Sequence, residues 1–311
     1  MRGAANLIIL TALTALTASA ARPRVVVVKS AELAPYASVA SSFAAEVKAQ
    51  TEELTLEPGA DAAAKTFKKV AENPPALVLA IGPAAAVEAK RALQNVPVVF
   101  VMVPYFQKYE LEAPNVTGIA LTSDLSPELS ALRALLPKVK RIGIVEDPRY
   151  SQKLIETAAQ SASELGLSVV PLEVDSQPKL EKALKAGRPK VDALVMISDR
   201  TVGNSAVVER LIGFCSDEKL PLVGMAPGQV KAGALVAVAP SPVAIGAQAG
   251  RLANRILLEK IDPGALAVAP PEGTELFVNW SAAKKLEQPE QFALDLLGFA
   301  AQKGLVVRAN P

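Results

Sequence analysis

Two short stretches each bring an acid, a base and a hydroxyl or ring together. Asp147, Arg149 and Tyr150 share one; Asp199, Arg200 and Thr201 share the other. An arginine fork holds a carboxylate through two parallel hydrogen bonds, and an aspartate holds an amine. Each trio could equally be helix capping and solvated charge, and Asp147 before Pro148 suits an N-cap. A third stretch, Gly82-Pro83-Ala84, opens a helix directly after an apolar run. Helix N-termini offer free N–H groups and a positive dipole end to a carboxylate or phosphate. A plain tight turn would look the same. Aromatic residues are only 4% of the chain, yet Tyr36, Tyr105, Phe106 and Tyr150 all fall at element ends. Rings there could stack on a flat apolar ligand or pack the edges of the fold.

The composition removes most other chemistry. Histidine is absent, which excludes the Ser-His-Asp triad, the Cys-His dyad and His-ligated zinc. The single cysteine, Cys215, leaves no intramolecular disulfide and no Cys-rich metal site. It sits in a helix-like run and reads as a small buried hydrophobe. There is no GxGxxG at the first strand and no GxxxxGK[ST], so no cofactor or nucleotide is expected. Asp147 and Asp199 could face each other as acid and base, but nothing in their spacing demands it, and no catalysis is expected. Lys and Arg total 33 against 31 Asp and Glu, so no basic excess recommends nucleic acid. The 311 residues, half of them hydrophobic, suffice for about two domains with large cores.

Alternating strands and helices position these residues. The first series has strands at 25–28, 54–56, 77–81, 98–103 and 115–121, with helices at 36–50, 60–71 and 84–93. The second has helices at 126–136, 150–165, 179–186 and 207–218, with strands at 141–145, 168–174, 193–197, 222–225 and 234–239. A long helix at 243–259 and a strand at 275–280 follow. Unbroken runs such as Val25-Val26-Val27-Val28 suit strands buried on both faces. The alternation predicts an α/β chain of two doubly wound parallel-sheet lobes with a ligand cleft between them. Ligands of such sheets bind beyond the carboxyl ends of the strands. The candidate ligand-binding residues are Ser30, Tyr36, Gly82, Pro83, Tyr105, Asp147, Arg149, Tyr150, Asp199, Arg200, Thr201 and Met225.

The N-terminus predicts export. Arg2 precedes an apolar stretch that ends in Ala18-Ser19-Ala20, the small-x-small pattern of a signal peptide over residues 1–20. No cysteine lies nearby for a lipid anchor. The expected location is the periplasm.

Several stretches resemble a known family. They are Asn115-Val116-Thr117-Gly118-Ile119, the run Leu135-Leu136-Pro137 to Val145, Val230-Lys231-Ala232-Gly233-Ala234-Leu235, Ile245-Gly246-Ala247-Gln248-Ala249-Gly250, and Val278-Asn279-Trp280-Ser281-Ala282-Ala283. In this order they resemble the ABC-transporter substrate-binding family that includes tryptophan- and tyrosine-binding members, with the type I periplasmic solute-binding fold. The resemblance implies three crossings between lobes. The first lobe would hold 22–118 plus 241–262, the second 119–239 plus 270–286, and a helical tail would occupy 287–311. It further implies a monomer that captures a small solute, closes like a hinge and delivers it to an ABC permease.

The chain departs from the family at ligand positions. Pro83 stands where a threonine is usual, Pro104-Tyr105-Phe106 replaces a Thr-Asp-Pro or Asn-Pro, and Met225-Ala226-Pro227-Gly228 lacks an acid. A buried ammonium without an acid is costly, so a partly apolar, neutral or anionic ligand is expected. The alternative is a ligand-sensing or accessory envelope module that binds a protein partner through the additional tail.

Overall fold

The computed structural model describes residues 22–59, 61–121, 124–197 and 199–310. The expected signal peptide lies outside the described residues. Among those described, no helix is long and apolar enough to cross a membrane.

The first lobe is built on β1 (Arg24–Lys29), β2 (Gln50–Thr55), β3 (Leu77–Ile81), β4 (Val98–Val101) and β5 (Val116–Gly118). They form a fully parallel sheet in the order β2-β1-β3-β4-β5. The helices between them are α1 (Ala34–Glu46), α2 (Ala62–Glu72) and α3 (Pro83–Ala92). The valine run explains the double layer. Side chains alternate along a strand, so Val25 and Val27 enter the core beside α1, while Val26 and Val28 enter the core beside α2 and α3. All four are fully buried, each contributing about 1.5–3 kcal/mol relative to exposure.

The second lobe contains α4 (Ser126–Leu135), β6 (Arg141–Glu146), α5 (Pro148–Glu164), β7 (Ser168–Glu173), α6 (Leu180–Gly187), β8 (Ala193–Val195), α7 (Ser205–Asp217), β9 (Leu222–Gly224), α8 (Pro227–Ala232) and β10 (Val236–Pro240). The chain then returns to the first lobe as α9 (Pro242–Leu258) and comes back as β11 (Thr274–Asn279), α10 (Trp280–Ala283), α11 (Pro289–Lys303) and β12 (Val306–Asn310). The second sheet runs β12-β11-β10-β9-β8-β6-β7, parallel except where β10 meets β11.

Three crossings lie side by side. Ala269 joins the first through Gly118 O and Ala120 N, at 3.0 and 2.9 Å, and Ser241 N donates to Gly273 O at 2.8 Å. Gln248 on α9 fixes the last crossing: its Nε2 donates to Pro270 O and its Oε1 accepts from Glu272 N, both at 2.9 Å. The same helix lies directly on α1. A Cβ at Gly246 would fall 2.4 Å from Val39 O, and one at Gly250 would fall 2.6 Å from the Glu46 Cβ. The Gly-Ala-Gln-Ala-Gly stretch therefore packs on α1 through its two glycines and holds the last crossing through Gln248 on the other side of the helix.

Several boundaries differ from expectation. The helix expected over 36–50 stops at Glu46, because Val47 turns extended and residues from Gln50 pair with β1. That strand is hard to see in sequence because it is an edge: Glu52 faces solvent and pairs with Arg24 at 3.1 Å. The expected strand over 115–121 is only Val116–Gly118. Helix α8 falls in a stretch left without an element. The tail is not wholly helical, since β12 adds a parallel edge strand to β11. Helix α11 buries Phe292, Leu296 and Phe299 in the second lobe's core. Trp280 packs edge-on against Phe292, with centroids 6.2 Å apart.

Candidate functional site

A cleft of about 910 Å³ opens between the two sheets, at the carboxyl ends of their parallel strands. That volume suits a small organic solute. Its walls come from the loops after β3, β4, β6, β8 and β9, from the first turn of α4, and from the crossing after β10. A smaller cavity of about 310 Å³ lies within the second lobe, beside the N-terminal ends of β9 and β10. Its Lys219 and Lys231 sit at the ends of α7 and α8, where the helix dipole favours cations without any ligand.

Seven of the sequence candidates meet on the wall: Pro83, Tyr105, Arg149, Tyr150, Asp199, Arg200 and Met225. Ser30, Tyr36, Gly82, Asp147 and Thr201 are not on it; they stand behind and hold their neighbours.

On the first-lobe side, Gly82 has φ +90, and a Cβ there would meet Tyr36 Oη at 2.6 Å and Ser30 Oγ at 2.7 Å. Only glycine fits this turn. The α3 N-terminus is less open than its sequence suggests. Ser30 Oγ accepts the Ala85 N–H at 2.9 Å, Ala86 N donates to Gly82 O, and Pro83 has no N–H to give. Ser30 is thus a cap delivered from β1. Burial raises the Tyr36 hydroxyl, with a smaller contribution from Tyr109.

After β4 the backbone is strained. Met102 (φ 57) and Tyr105 (φ 49) both adopt left-handed conformations without being glycine. Such residues cost of order 1–3 kcal/mol each and cluster where a wall must be shaped. Here they set Met102 and the Tyr105 ring on the cleft, with Lys108 Nζ 4.9 Å from the centre of that ring. The Tyr105 hydroxyl is pushed up to about 12 by burial, then by Glu128 and Asp199.

The two acid-base trios form one unit. Asp199 Oδ2 accepts from Asp147 N at 2.8 Å and Ser151 Oγ at 2.9 Å, while its Oδ1 accepts from Thr201 N and Val202 N, both at 2.8 Å. Asp147, wholly buried, accepts from the Arg149 backbone N at 3.1 Å, from Arg149 Nε at 2.9 Å and from Thr201 Oγ1. Arg149 holds the Asp147 carboxyl well below the usual carboxylate range, with Thr201 reinforcing it. The two aspartates therefore serve as loop staples, their oxygens filled by donors from within the protein. What the unit displays is the Tyr150 ring with two guanidiniums close to it, Arg149 at 5.4 Å and Arg200 at 5.7 Å from its centre. Cations over a tyrosine face are attracted by its quadrupole.

Several wall residues went unnoticed in the sequence, Met102, Lys108, Glu128 and Phe277 among them. Glu128, in the first turn of α4, is among the cleft-lining residues although it is only 3% exposed, and among the described residues its Oε2 has no hydrogen-bond partner. Burial, then Asp124, raises its carboxyl to about 7. The expectation of a neutral or anionic ligand rested on the replaced family positions and did not weigh this acid beside the cleft. Its signal was faint: a glutamate in the first turn of a helix is ordinary, and only burial marks it. Cys215 is buried in α7 as expected, its thiol pushed up to about 12 by burial. Among the described residues, no three His, Cys, Asp or Glu side chains cluster as metal ligands.

Known proteins share this arrangement. A ligand-free, open substrate-binding protein with adhesive properties from Clostridium difficile superposes with a TM-score of 0.78, at 18% identity, covering 93% of this chain and 100% of the other. An ABC domain in complex with L-Trp from Streptococcus pneumoniae gives 0.64 at 19% identity, covering 87% and 98%. At those identities the likeness shows the fold, that of the type I periplasmic binding proteins. A tyrosine-binding protein of Clostridioides difficile is 23% identical over 219 residues, which are 68% of this chain and 63% of the relative. Residues 48–292 match the family model described as ABC transporter substrate binding protein, and the chain belongs to that family.

Proposed function

We propose that the chain is an exported solute-binding protein that captures a small molecule between its lobes and delivers it to the permease of an ABC importer. The observation that carries this reading is the cleft of about 910 Å³, walled by both lobes beside three adjacent crossings. Adjacent crossings let two rigid lobes close on a ligand with little change inside either. The family and the tyrosine- and tryptophan-binding relatives support a small, partly aromatic solute. The first lobe would comprise 22–118 with 241–262, and the second 119–239 with 270–286 and the packed tail 287–311. Tyr105, Tyr150 and Met225 would contact the apolar part of the solute; Pro83, Arg149, Asp199 and Arg200 would line its rim. Residues 1–20 would direct export to the periplasm, and the product would act as a monomer.

Native mass spectrometry of protein purified from its own cell envelope tests this. A bound small molecule that disappears after denaturation and refolding is the expected result. A well-folded protein with no bound mass, and no thermal shift in a broad panel of amino acids, aromatic acids and sugars, would sink the proposal.

A further inference from the structure

Three cations gather around Tyr150. Lys108 Nζ, from the first lobe, lies 3.5 Å from its backbone carbonyl, and the Arg149 and Arg200 guanidiniums lie 5.4 and 5.7 Å from the centre of its ring. All four residues line the cleft. Arg149 is paired: Asp147 accepts from its Nε and Nη2, and Asp175 O accepts from Nη2 as well. Arg200 is exposed and meets no acceptor among the described residues. The attraction of a tyrosine face for a cation is modest at an exposed site, and like charges brought together repel. A solvated arginine on an outer surface needs no ligand. Arg200 instead stands on the wall of a cleft whose remaining lining is largely apolar.

The acids of the wall do not answer these cations on the solute's side. Asp199 already accepts four hydrogen bonds from within the protein. Glu128 is only 3% exposed, and burial raises its carboxyl to about 7, so it is mostly protonated in mildly acidic solution. The three cations then stand against two aspartates, Asp147 and Asp199, and one positive charge is left for a solute to match. An ammonium placed here would meet cations and no accessible unfilled carboxylate, and a desolvated ammonium without an acid is costly.

We infer that the cleft selects a monoanion, a carboxylate without an amine on an apolar or aromatic body, and that Arg200 is its recognition group. This rests on the solute-binding reading and deepens it. The planar guanidinium fork matches a carboxylate through two parallel hydrogen bonds. Lys108 adds a point charge from the opposite lobe, so both lobes attract the same anion. Met102, Tyr105, Met225 and Phe277 offer apolar surface to the body of the solute. A phosphate ester, with a charge of about −2, exceeds the single charge left over. The solute therefore differs in class from the amino acids named for the relatives, tyrosine and L-Trp.

Calorimetric titration at about pH 6 tests this on protein purified from its own cell envelope and freed of native solute by denaturation and refolding. The probes are 3-(4-hydroxyphenyl)propionate, its neutral amide, L-tyrosine, tyramine and phenyl phosphate. The expected result is that the propionate binds at least tenfold more tightly than each of the others. Arg200→Gln should weaken it about 10- to 100-fold, and Arg200→Lys, which keeps the charge and loses the fork, should recover part of that loss. L-tyrosine, tyramine or phenyl phosphate binding as tightly as the propionate overturns the inference, whether or not the variants fold. So does undiminished binding in a folded Arg200→Gln. If the propionate does not bind, the released native solute decides: a carboxylic acid without a basic nitrogen supports the inference, and any other solute overturns it while leaving the solute-binding reading intact. Binding of no probe and no native solute sinks both.

Discussion

Lys108 reaches Tyr150 across the cleft: its ammonium, on the turn after β4, donates to the Tyr150 backbone carbonyl at 3.5 Å. The two residues belong to different lobes, so this bond forms only when the lobes stand at this separation. A bond of that length at an exposed position is weak. Lys108→Ala should therefore leave stability within about 0.5 kcal/mol while shifting the lobes toward wider separation. Small-angle scattering reads the shift as a larger radius of gyration. An unchanged radius with an unchanged melting temperature would mean that the contact has no part in setting the lobe angle.

The staple between the β6 and β8 loops predicts a larger effect. Asp147→Ala removes the acceptor for Thr201 Oγ1 and for the Arg149 backbone N–H. Leaving these donors unpaired should cost about 2–3 kcal/mol. The carboxyl is held below its ordinary value of 3.8 by Arg149, so its contribution is present above about pH 4 and fades as pH falls further. Wild type and variant should converge in stability under strong acid. A constant difference between them from pH 7 to pH 2 would contradict the assigned role.

The alternation of elements was legible because most strands are buried on both faces and so read as unbroken apolar runs, Leu77–Ile81 being one. The elements that escaped or were read only in part lie at sheet edges or are short: β2 with its exposed glutamates, expected only over 54–56, then β12, and the six residues of α8. Edges lack the apolar signature because solvent takes one side. The site was legible as a set of loops, since strand ends can be located from sequence. Which members of each loop face inward was not. Asp147 and Thr201 turned to each other, and that choice depends on a contact between residues 54 positions apart. Glu128 was invisible for the opposite reason, its neighbours along the helix being unremarkable and its burial wholly tertiary.

Glu146 at the end of β6 predicts how stability runs with pH. It is buried, its Oε2 unpartnered among the described residues, and its carboxyl is raised to about 7 by burial, then by Glu173, Asp199 and Asp147. A raised carboxyl binds its proton more tightly in the folded state. Stability should therefore fall as pH rises from about 4.5 to about 7. Glu146→Gln should flatten this fall and stabilise the protein at pH 8 by on the order of 1 kcal/mol. Melting curves from pH 5 to 8 check the sign; a variant less stable than wild type at pH 8 would reverse the argument.

Gly82→Ala tests the turn that seats Pro83. The new Cβ would need φ +90 and would press on Tyr36 Oη and Ser30 Oγ. Positive φ and overpacking together predict a loss of about 2–4 kcal/mol. Ser30→Ala, which loses only the acceptor for Ala85 N, should cost about 1 kcal/mol. Chemical denaturation of both variants gives the ratio, and equal losses would mean that the glycine is not conformationally required.

The tail separates a packed element from an appended one. If α11 were an independent partner-binding arm, deleting residues 287–311 would leave the lobes as stable as before. Its burial argues otherwise. Phe292, Leu296 and Phe299 are at most 7% exposed and lie in the second lobe's core, and three side chains of that size contribute more than about 5 kcal/mol together. Folded domains have only about 5–15 kcal/mol to lose. The truncated chain should accumulate as insoluble protein or melt far below wild type, and Phe292→Ala alone should cost about 3–5 kcal/mol. Leu294, 64% exposed on the opposite face of the helix, provides the control. Leu294→Ser should change stability by less than about 0.5 kcal/mol. A truncated protein with the wild-type melting temperature would instead mark α11 as an addition that the lobe does not need.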